Sequence, residues 1–291
     1  MIQKLYIYFL LICVTFINKR MLLCKNTKNL PIGNINKSLY VGGHPYYKFS
    51  YVPPELKNNP DRYSFNKWGY RADEFEEIDD SFGVVTIGCS HSFGWGVDTD
   101  KTYSAIFCKL LSENFPKLKV KNWNLSLPSK SNDYISRTAL NFMPFLKPKI
   151  VLVCFTGIYR REYYDLDGNC LDYLLGRTIK ENDHLICREK HTSWMEENCG
   201  IYDHLKELTS VHDSNMNFFK NYKLIELTVQ QLKIKWAFST IEENQWIIKN
   251  DIDKSCYLGQ WDKVDVVSKN DCHMGINSHN CIANNFYNLL F

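Results

Sequence analysis

The sequence predicts an α/β fold whose mainly parallel sheet is covered by helices on both faces. Short apolar runs, as at residues 84–87 and 150–155, are typical of strands that are buried on both sides. Helical patterns with one apolar face follow these runs along the chain. The 291 residues, of which 45% are hydrophobic and 14% aromatic, suffice for one sizeable domain with insertions.

Strands and helices are expected to alternate from residue 84 onward. The first strand, at residues 84–87, ends at Gly88, and the helix predicted over residues 132–146 stops before Pro148. Further strands are predicted at residues 119–125, 150–155 and 234–240, and further helices at residues 102–114, 214–233 and 278–290, the last with Ser278 as its N-cap.

The predicted α/β domain occupies residues 81–291. Residues 1–20 are a hydrophobic extension, and residues 21–80, rich in Asn, Lys, Tyr and Pro, are expected to be an irregular lead-in in which Arg71 is exposed. Within the domain, residues 160–213 are charged, aromatic and irregular. This composition indicates an insertion or lid over one edge of the sheet.

The apolar run at residues 5–17 leaves the cellular location open. It is shorter than the roughly 20 apolar residues of a membrane-spanning helix, and no small-x-small cleavage site follows it. It is either a signal or membrane anchor, or an extension upstream of a second start at Met21. The 11 cysteines, an odd number without a CxxC pair, favour a reducing compartment. A cytoplasmic location is therefore favoured, and a secreted or membrane-anchored one follows only if residues 5–17 act as a signal.

Charge and ligand spacing exclude two classes of function. The net charge is +3, with a pI of about 8.2, and no stripe of Lys or Arg concentrates it. Nucleic acid is therefore not an expected partner. The eight histidines show no metal-ligand spacing with one another or with cysteines. We expect no metal.

The turn after the first strand carries the candidate nucleophile, Ser90. A sharp strand-to-helix turn exposes a serine side chain and leaves unpaired backbone N–H groups at the helix start. A serine hydroxyl becomes a nucleophile when a base accepts its proton, and nearby N–H groups stabilise the resulting oxyanion. The sequence therefore predicts hydrolytic chemistry at Ser90.

The candidate base is His273, which lies in a loop just before the last helix. Catalytic triads are assembled in space, so a distant position in the chain is no obstacle. Asp271 and Asn270 are both close enough in sequence to orient the imidazole ring.

Three motifs together resemble the SGNH (GDSL-like) hydrolases. Gly88-Cys89-Ser90-His91-Ser92-Phe93-Gly94 resembles block I, residues 124–129 (NLSLPS) resemble block II, and Asn270-Asp271-Cys272-His273 lies where block V has Asp-x-x-His. The resemblance covers residues 66–291. It implies a flavodoxin-like three-layer α/β/α fold, ester hydrolysis without a cofactor, and a small-molecule or glycan ester as substrate.

The resemblance also assigns roles to further residues, with departures from the usual pattern. Ser90 and Ser129 would donate backbone N–H groups to the oxyanion, although Ser129 replaces a glycine. Residues 156–161 lack the asparagine of block III, and Arg160 or Arg161 would replace it or bind an anionic substrate group. Asn270 stands where the block V aspartate is expected.

Several functions remain open at this point. The first is a serine esterase acting on a small acyl ester, such as a carbohydrate O-acyl group. The second is an acyltransferase of the same fold, since the acyl-enzyme is common to both reactions. The third is a catalytically impaired glycan-binding or structural protein. Any of them could be anchored to a membrane, but only through residues 5–17.

Overall fold

A six-stranded sheet forms the centre of the computed structural model, which describes residues 63–75, 81–164, 170–174, 210–242 and 252–291. The strands are β1 (Arg71–Ala72), β2 (Phe82–Ile87), β3 (Val120–Asn124), β4 (Ile150–Phe155), β5 (Arg160–Tyr164), β6 (Cys170–Leu174), β7 (Lys235–Thr240), β8 (Tyr257–Gln260), β9 (Val266–Ser268) and β10 (Asp271–Met274). The α-helices are α1 (Ser90–Phe93), α2 (Tyr103–Asn114), α3 (Asn132–Leu146), α4 (Val211–Leu232) and α5 (Ile276–Leu290).

The strand order in the central sheet is β1-β3-β2-β4-β7-β8. All neighbouring strands are parallel except β1, which runs antiparallel to β3. Numbered by their order in the chain, the parallel strands follow the flavodoxin-like order 2-1-3-4-5. The predicted α/β fold with a mainly parallel sheet is therefore confirmed.

Helices cover both faces of this sheet because the side chains of its strands alternate. Val85, Val151 and Val153 point to one face, where α3 and α4 pack on them. Val84 and Leu152 point to the opposite face, which α2 and α5 cover. The result is a three-layer α/β/α sandwich.

The sheet begins before residue 81, inside the predicted lead-in. Arg71 pairs with Asn124 and Ala72 with Trp123, so that β1 forms one edge of the sheet. Arg71 is almost fully buried, which contradicts the prediction that it is exposed. Its guanidinium binds backbone carbonyls, and this compensates for burial of the charge.

The predicted lid lies largely outside the described residues, as does the whole of residues 1–20, including the apolar run at 5–17. The described part of the predicted lid includes an antiparallel hairpin of β5 and β6. None of the helices in the described ranges is long and apolar enough to cross a membrane.

The start of the last helix differs from the sequence-based prediction. Gly275, not Ser278, is the N-cap of α5. Ser278 lies inside the helix, because the Asp265 carboxylate accepts the N–H groups of Asn277 and Ser278 and so takes over the capping role. The N-cap of α3 is Ser131, whose hydroxyl accepts the N–H of Tyr134.

Candidate active site

The turn from β2 into α1 presents Ser90 as the first residue of a short helix. Gly88 is required in this turn, because a Cβ there would lie 2.2 Å from the hydroxyl oxygen of Ser92. Cys89 is the N-cap, with φ −97° and ψ −156°, and its side chain is buried. The turn therefore follows the carboxyl end of a parallel strand, where ligands bind in sheets of this kind.

Ser90, His273 and Asp271 form a continuous chain of hydrogen bonds. The Ser90 Oγ lies 3.0 Å from Nε2 of His273. The other ring nitrogen, Nδ1, lies 2.6 Å from Oδ1 of Asp271. Both distances are within hydrogen-bond range for a nucleophile, a base and a group that orients the base.

The carboxylate on the His273 ring belongs to Asp271, whereas Asn270 is exposed in the turn between β9 and β10. Asp271 also accepts the backbone N–H of His273 at 2.9 Å. Burial raises the pKa of Asp271, but these hydrogen bonds from His273 outweigh it, so that the pKa lies below its usual 3.8. Asp271 is therefore ionised at neutral pH and can stabilise a protonated His273.

The hairpin of β9 and β10 holds His273 opposite Ser90. The two strands are antiparallel, with Asp271 paired to Ser268 and Met274 paired to Val266. Asp265 fastens this hairpin to the start of α5. Its Oδ1 accepts the N–H of Ser278 at 2.8 Å and the Ser278 hydroxyl at 2.7 Å.

Aromatic rings enclose the imidazole of His273. The Trp95 ring is stacked with it at a centroid distance of 5.7 Å, and the His91 ring lies at 5.1 Å. Burial, followed by the positive charges of His273, Arg160 and Lys263, lowers the pKa of His91 to about 3. His91 is therefore neutral at neutral pH, and it does not repel a proton on His273.

Arg71 holds the loop that follows the nucleophile, a role that the sequence analysis missed. Its Nη1 donates to the carbonyl oxygens of Phe93 and Gly94, both at 2.8 Å. Its Nη2 donates to the carbonyl oxygen of Val97 and to the hydroxyl of Thr99, both at 2.9 Å. Gly94 has a φ of +78°, a conformation that glycine adopts most readily. No local sequence pattern reveals such a contact.

The backbone N–H groups of the two expected oxyanion donors, Ser90 and Ser129, have no acceptors among the described residues. The loop with Ser129 runs beside the nucleophile turn, since the N–H of Leu127 donates to the carbonyl of Gly88 at 3.3 Å. Ser129 has a φ of +62°, so this serine adopts the left-handed conformation that favours the expected glycine.

The segment after β4 carries no asparagine, and the nearest one is fully used elsewhere. Asn132 is buried at the start of α3, and its side chain donates to the carbonyl of Thr156 at 3.1 Å. It also accepts the N–H of Thr156 at 2.9 Å. Asn132 therefore fastens α3 to the end of β4, and its amide is not available to a substrate.

The two arginines at the start of β5 differ in their surroundings. Arg161 is buried and forms an ion pair with Asp213 at the start of α4. This pair fastens the hairpin to the helix, so that the guanidinium is not open to a substrate. Arg160 is half-buried and donates from Nη1 to the carbonyl of Lys130 at 3.4 Å. Of the two arginines, Arg160 is thus the one that contacts the residue next to Ser129.

No group of three or more His, Cys, Asp or Glu side chains in the described part of the chain could hold a metal ion. No protein-family model matches the chain, and no curated protein matches it.

Solved structures do resemble the chain. The psychrotrophic esterase EstA from Pseudoalteromonas sp. has 10% identity and a TM-score of 0.43, over 72% of this chain and 96% of that chain. The acetyl xylan esterase AlAXEase has 13% identity and a TM-score of 0.41, over 72% and 100% of the two chains. A protein described as lipolytic and of the G-D-S-L family, from Desulfitobacterium hafniense, gives the same four values. At this identity the likeness concerns the fold alone.

Proposed function

We propose that this protein is a serine esterase that hydrolyses a small acyl ester. The observation that carries the proposal is the hydrogen-bond chain from Ser90 through His273 to Asp271, with distances of 3.0 and 2.6 Å. A protein that only bound glycans would not need a base within reach of an otherwise ordinary turn serine. A carbohydrate O-acyl ester fits the sequence resemblance and the acetyl xylan esterase of similar fold.

The first half of the reaction acylates Ser90. Its Oγ attacks the ester carbonyl carbon while Nε2 of His273 takes the hydroxyl proton. The carbonyl oxygen gains the negative charge, and the N–H groups of Ser90 and Ser129 stabilise it. When the tetrahedral intermediate collapses, the C–O bond to the alcohol breaks, and His273 returns the proton to the leaving oxygen.

The second half restores the enzyme. A water molecule attacks the acyl carbon, His273 takes a proton from that water, and Ser90 leaves with this proton as the carboxylic acid forms. Asp271 keeps the ring of His273 oriented and stabilises its protonated form in both halves. Transfer of the acyl group to a sugar hydroxyl would differ only in replacing the water by that hydroxyl.

The experiment combines covalent labelling with turnover. We expect the purified protein to hydrolyse p-nitrophenyl acetate and to react with a fluorophosphonate probe at Ser90, and the Ser90→Ala variant to do neither. Product analysis with an acetylated sugar and a free sugar acceptor separates hydrolysis from acyl transfer. A wild-type protein that neither turns over the ester nor labels at Ser90 would sink the proposal.

A matched pair of variants tests which neighbour orients His273. Asp271→Asn should lower kcat by about 10²- to 10⁴-fold, because the ring loses its ionised partner. Asn270→Ala should change kcat less than about twofold, because Asn270 is exposed and does not contact the ring. Equal losses in the two variants would contradict the role of Asp271.

A further inference from the structure

Arg160 differs from its neighbours in β5 because it has no carboxylate partner. Arg161 pairs with Asp213, and Glu162 pairs with Arg137 at 2.8 Å. Among the described residues, Arg160 forms no ion pair and makes one hydrogen bond, to the carbonyl of Lys130. A half-buried cation without a counter-ion has lost part of its hydration and gained little in exchange. Binding of an anion from solution would compensate for the lost hydration of the guanidinium.

The neighbours of Arg160 hold it in a fixed position. Asp133 on α3 accepts the backbone N–H of Glu162 at 3.0 Å, and its other oxygen accepts the side-chain amides of Asn217 and Asn221 on α4. The start of the hairpin is therefore fastened to two helices. These contacts fix the backbone from which the Arg160 side chain extends, and this lowers the entropy cost of binding a ligand.

This position lies at the candidate active site. The carbonyl that Arg160 contacts belongs to Lys130, the residue after the expected oxyanion donor Ser129. The charge of Arg160 also acts on His91, whose ring is 5.1 Å from that of His273. The guanidinium thus contacts the loop that carries Ser129, and its charge acts on a ring beside the base.

The nearby charges are one further cation and two carboxylates, neither of which pairs with Arg160. Lys263 is a second cation that acts on His91. The Asp271 carboxylate is engaged by His273. A carboxylate oxygen of Glu242 lies 3.1 Å from where a Cβ on Gly157 would be, but Glu242 forms no ion pair with Arg160.

We infer that the ester hydrolysed here carries a carboxylate group, and that Arg160 binds this group beside the scissile bond. The planar guanidinium can donate two parallel hydrogen bonds to a carboxylate, which a lysine cannot do. The inference rests on the proposed esterase function and narrows its substrate class to acidic esters.

The test compares two esters of the same shape, 4-acetoxybenzoate and the neutral 4-acetoxybenzamide. The measured quantity is the ratio of kcat/KM for the charged ester to kcat/KM for the neutral one. We expect Arg160→Gln to lower this ratio about 10- to 100-fold, as expected for hydrogen bonds to a charged group. Arg160→Lys should lower it less, because the charge remains and the paired geometry is lost.

The control is Lys109→Gln, which removes one positive charge from an exposed position on α2. It should leave the ratio unchanged, and so separate a local effect from a change in overall charge. A ratio that stays within about twofold of wild type in Arg160→Gln would overturn the inference, even if both esters are hydrolysed more slowly. That result would instead make Arg160 a general contributor to the site.

If neither ester is turned over, this counts against the esterase function itself, and a binding measurement then tests the anion site separately. Calorimetry then compares benzoate with benzamide. Benzoate should bind the wild-type protein more tightly than benzamide, and Arg160→Gln should remove the difference. Equal affinities for the two compounds in the wild type would overturn the anion site.

Discussion

Replacing Arg71 by methionine should destabilise the protein by about 3–5 kcal/mol. The guanidinium is the hydrogen-bond donor for the carbonyls of Phe93, Gly94 and Val97 and for the hydroxyl of Thr99. Methionine fills a similar volume but donates nothing. Each buried acceptor left without a partner costs about 1–3 kcal/mol. The Gly94 carbonyl keeps the N–H of Val97, so the loss of the donor to the carbonyls of Phe93 and Val97 gives about 2–6 kcal/mol, and the stated range is the middle of this interval. Loss of the contacts of the guanidinium with the rings of Tyr63 and Phe93 acts in the same direction.

Urea unfolding followed by tryptophan fluorescence measures the loss in stability of Arg71→Met. Lys109→Met, at an exposed position, is the control and should change stability by less than about 0.5 kcal/mol. Ester turnover should also fall, because the loop after Ser90 loses its support. It is measured without urea, at a temperature at which the variant is fully folded. A loss below about 1 kcal/mol with unchanged turnover would refute the assigned role of Arg71.

Two further predictions concern backbone strain and buried charge. Ser129→Gly should raise the free energy of unfolding by up to about 1 kcal/mol. Ser129 adopts a φ of +62°, which costs a non-glycine residue about 1–2 kcal/mol, and the larger chain entropy of unfolded glycine offsets part of the gain. A lower stability of the variant in a urea titration would contradict the strain. His279 is buried, its Nδ1 accepts the N–H of Tyr103, and burial lowers its pKa from 6.5 to about 4. Below pH 6.5 the histidine of the unfolded chain binds a proton that the folded protein does not bind. The free energy of unfolding therefore falls as the pH falls towards 4, and His279 accounts for about 3 kcal/mol of this loss. In His279→Asn the amide oxygen can still accept that N–H, and the variant should lose less stability than wild type between pH 6.5 and 4; parallel pH profiles would count against a neutral His279.

The central sheet and the turn that carries Ser90 could be predicted because their signals are local. Residues 84–87 and 150–155 are apolar runs of strand length, and the helix predicted at residues 132–146 coincides with α3. The turn at Ser90 combines a strand end with small residues on both sides. These patterns depend only on neighbouring residues in the sequence, and they can therefore be recognised without knowledge of the fold.

Residues that act across the fold were missed or left undecided. Arg71 looked like a surface residue, because nothing in its own segment shows that carbonyls 22 to 26 positions later surround it. Asp271 and Asn270 could not be separated by sequence distance alone, since the direction of the β9–β10 turn decides which one faces the ring. Ser278 had the features of an N-cap, but Asp265, from a preceding loop, supplies the cap instead.

The order of the site along the chain has a consequence for protein synthesis. Ser90 precedes His273 by 183 positions, and the hairpin that carries His273 leads directly into α5, which packs against α2 and the sheet. While the chain is being made, the strand and turn around Ser90 emerge long before their base. In the proposed mechanism, a nascent chain therefore displays its nucleophile without the base that activates it, and reactivity arises only when α5 docks. Under the proposed function, premature acylation during translation is avoided by the order of the residues alone.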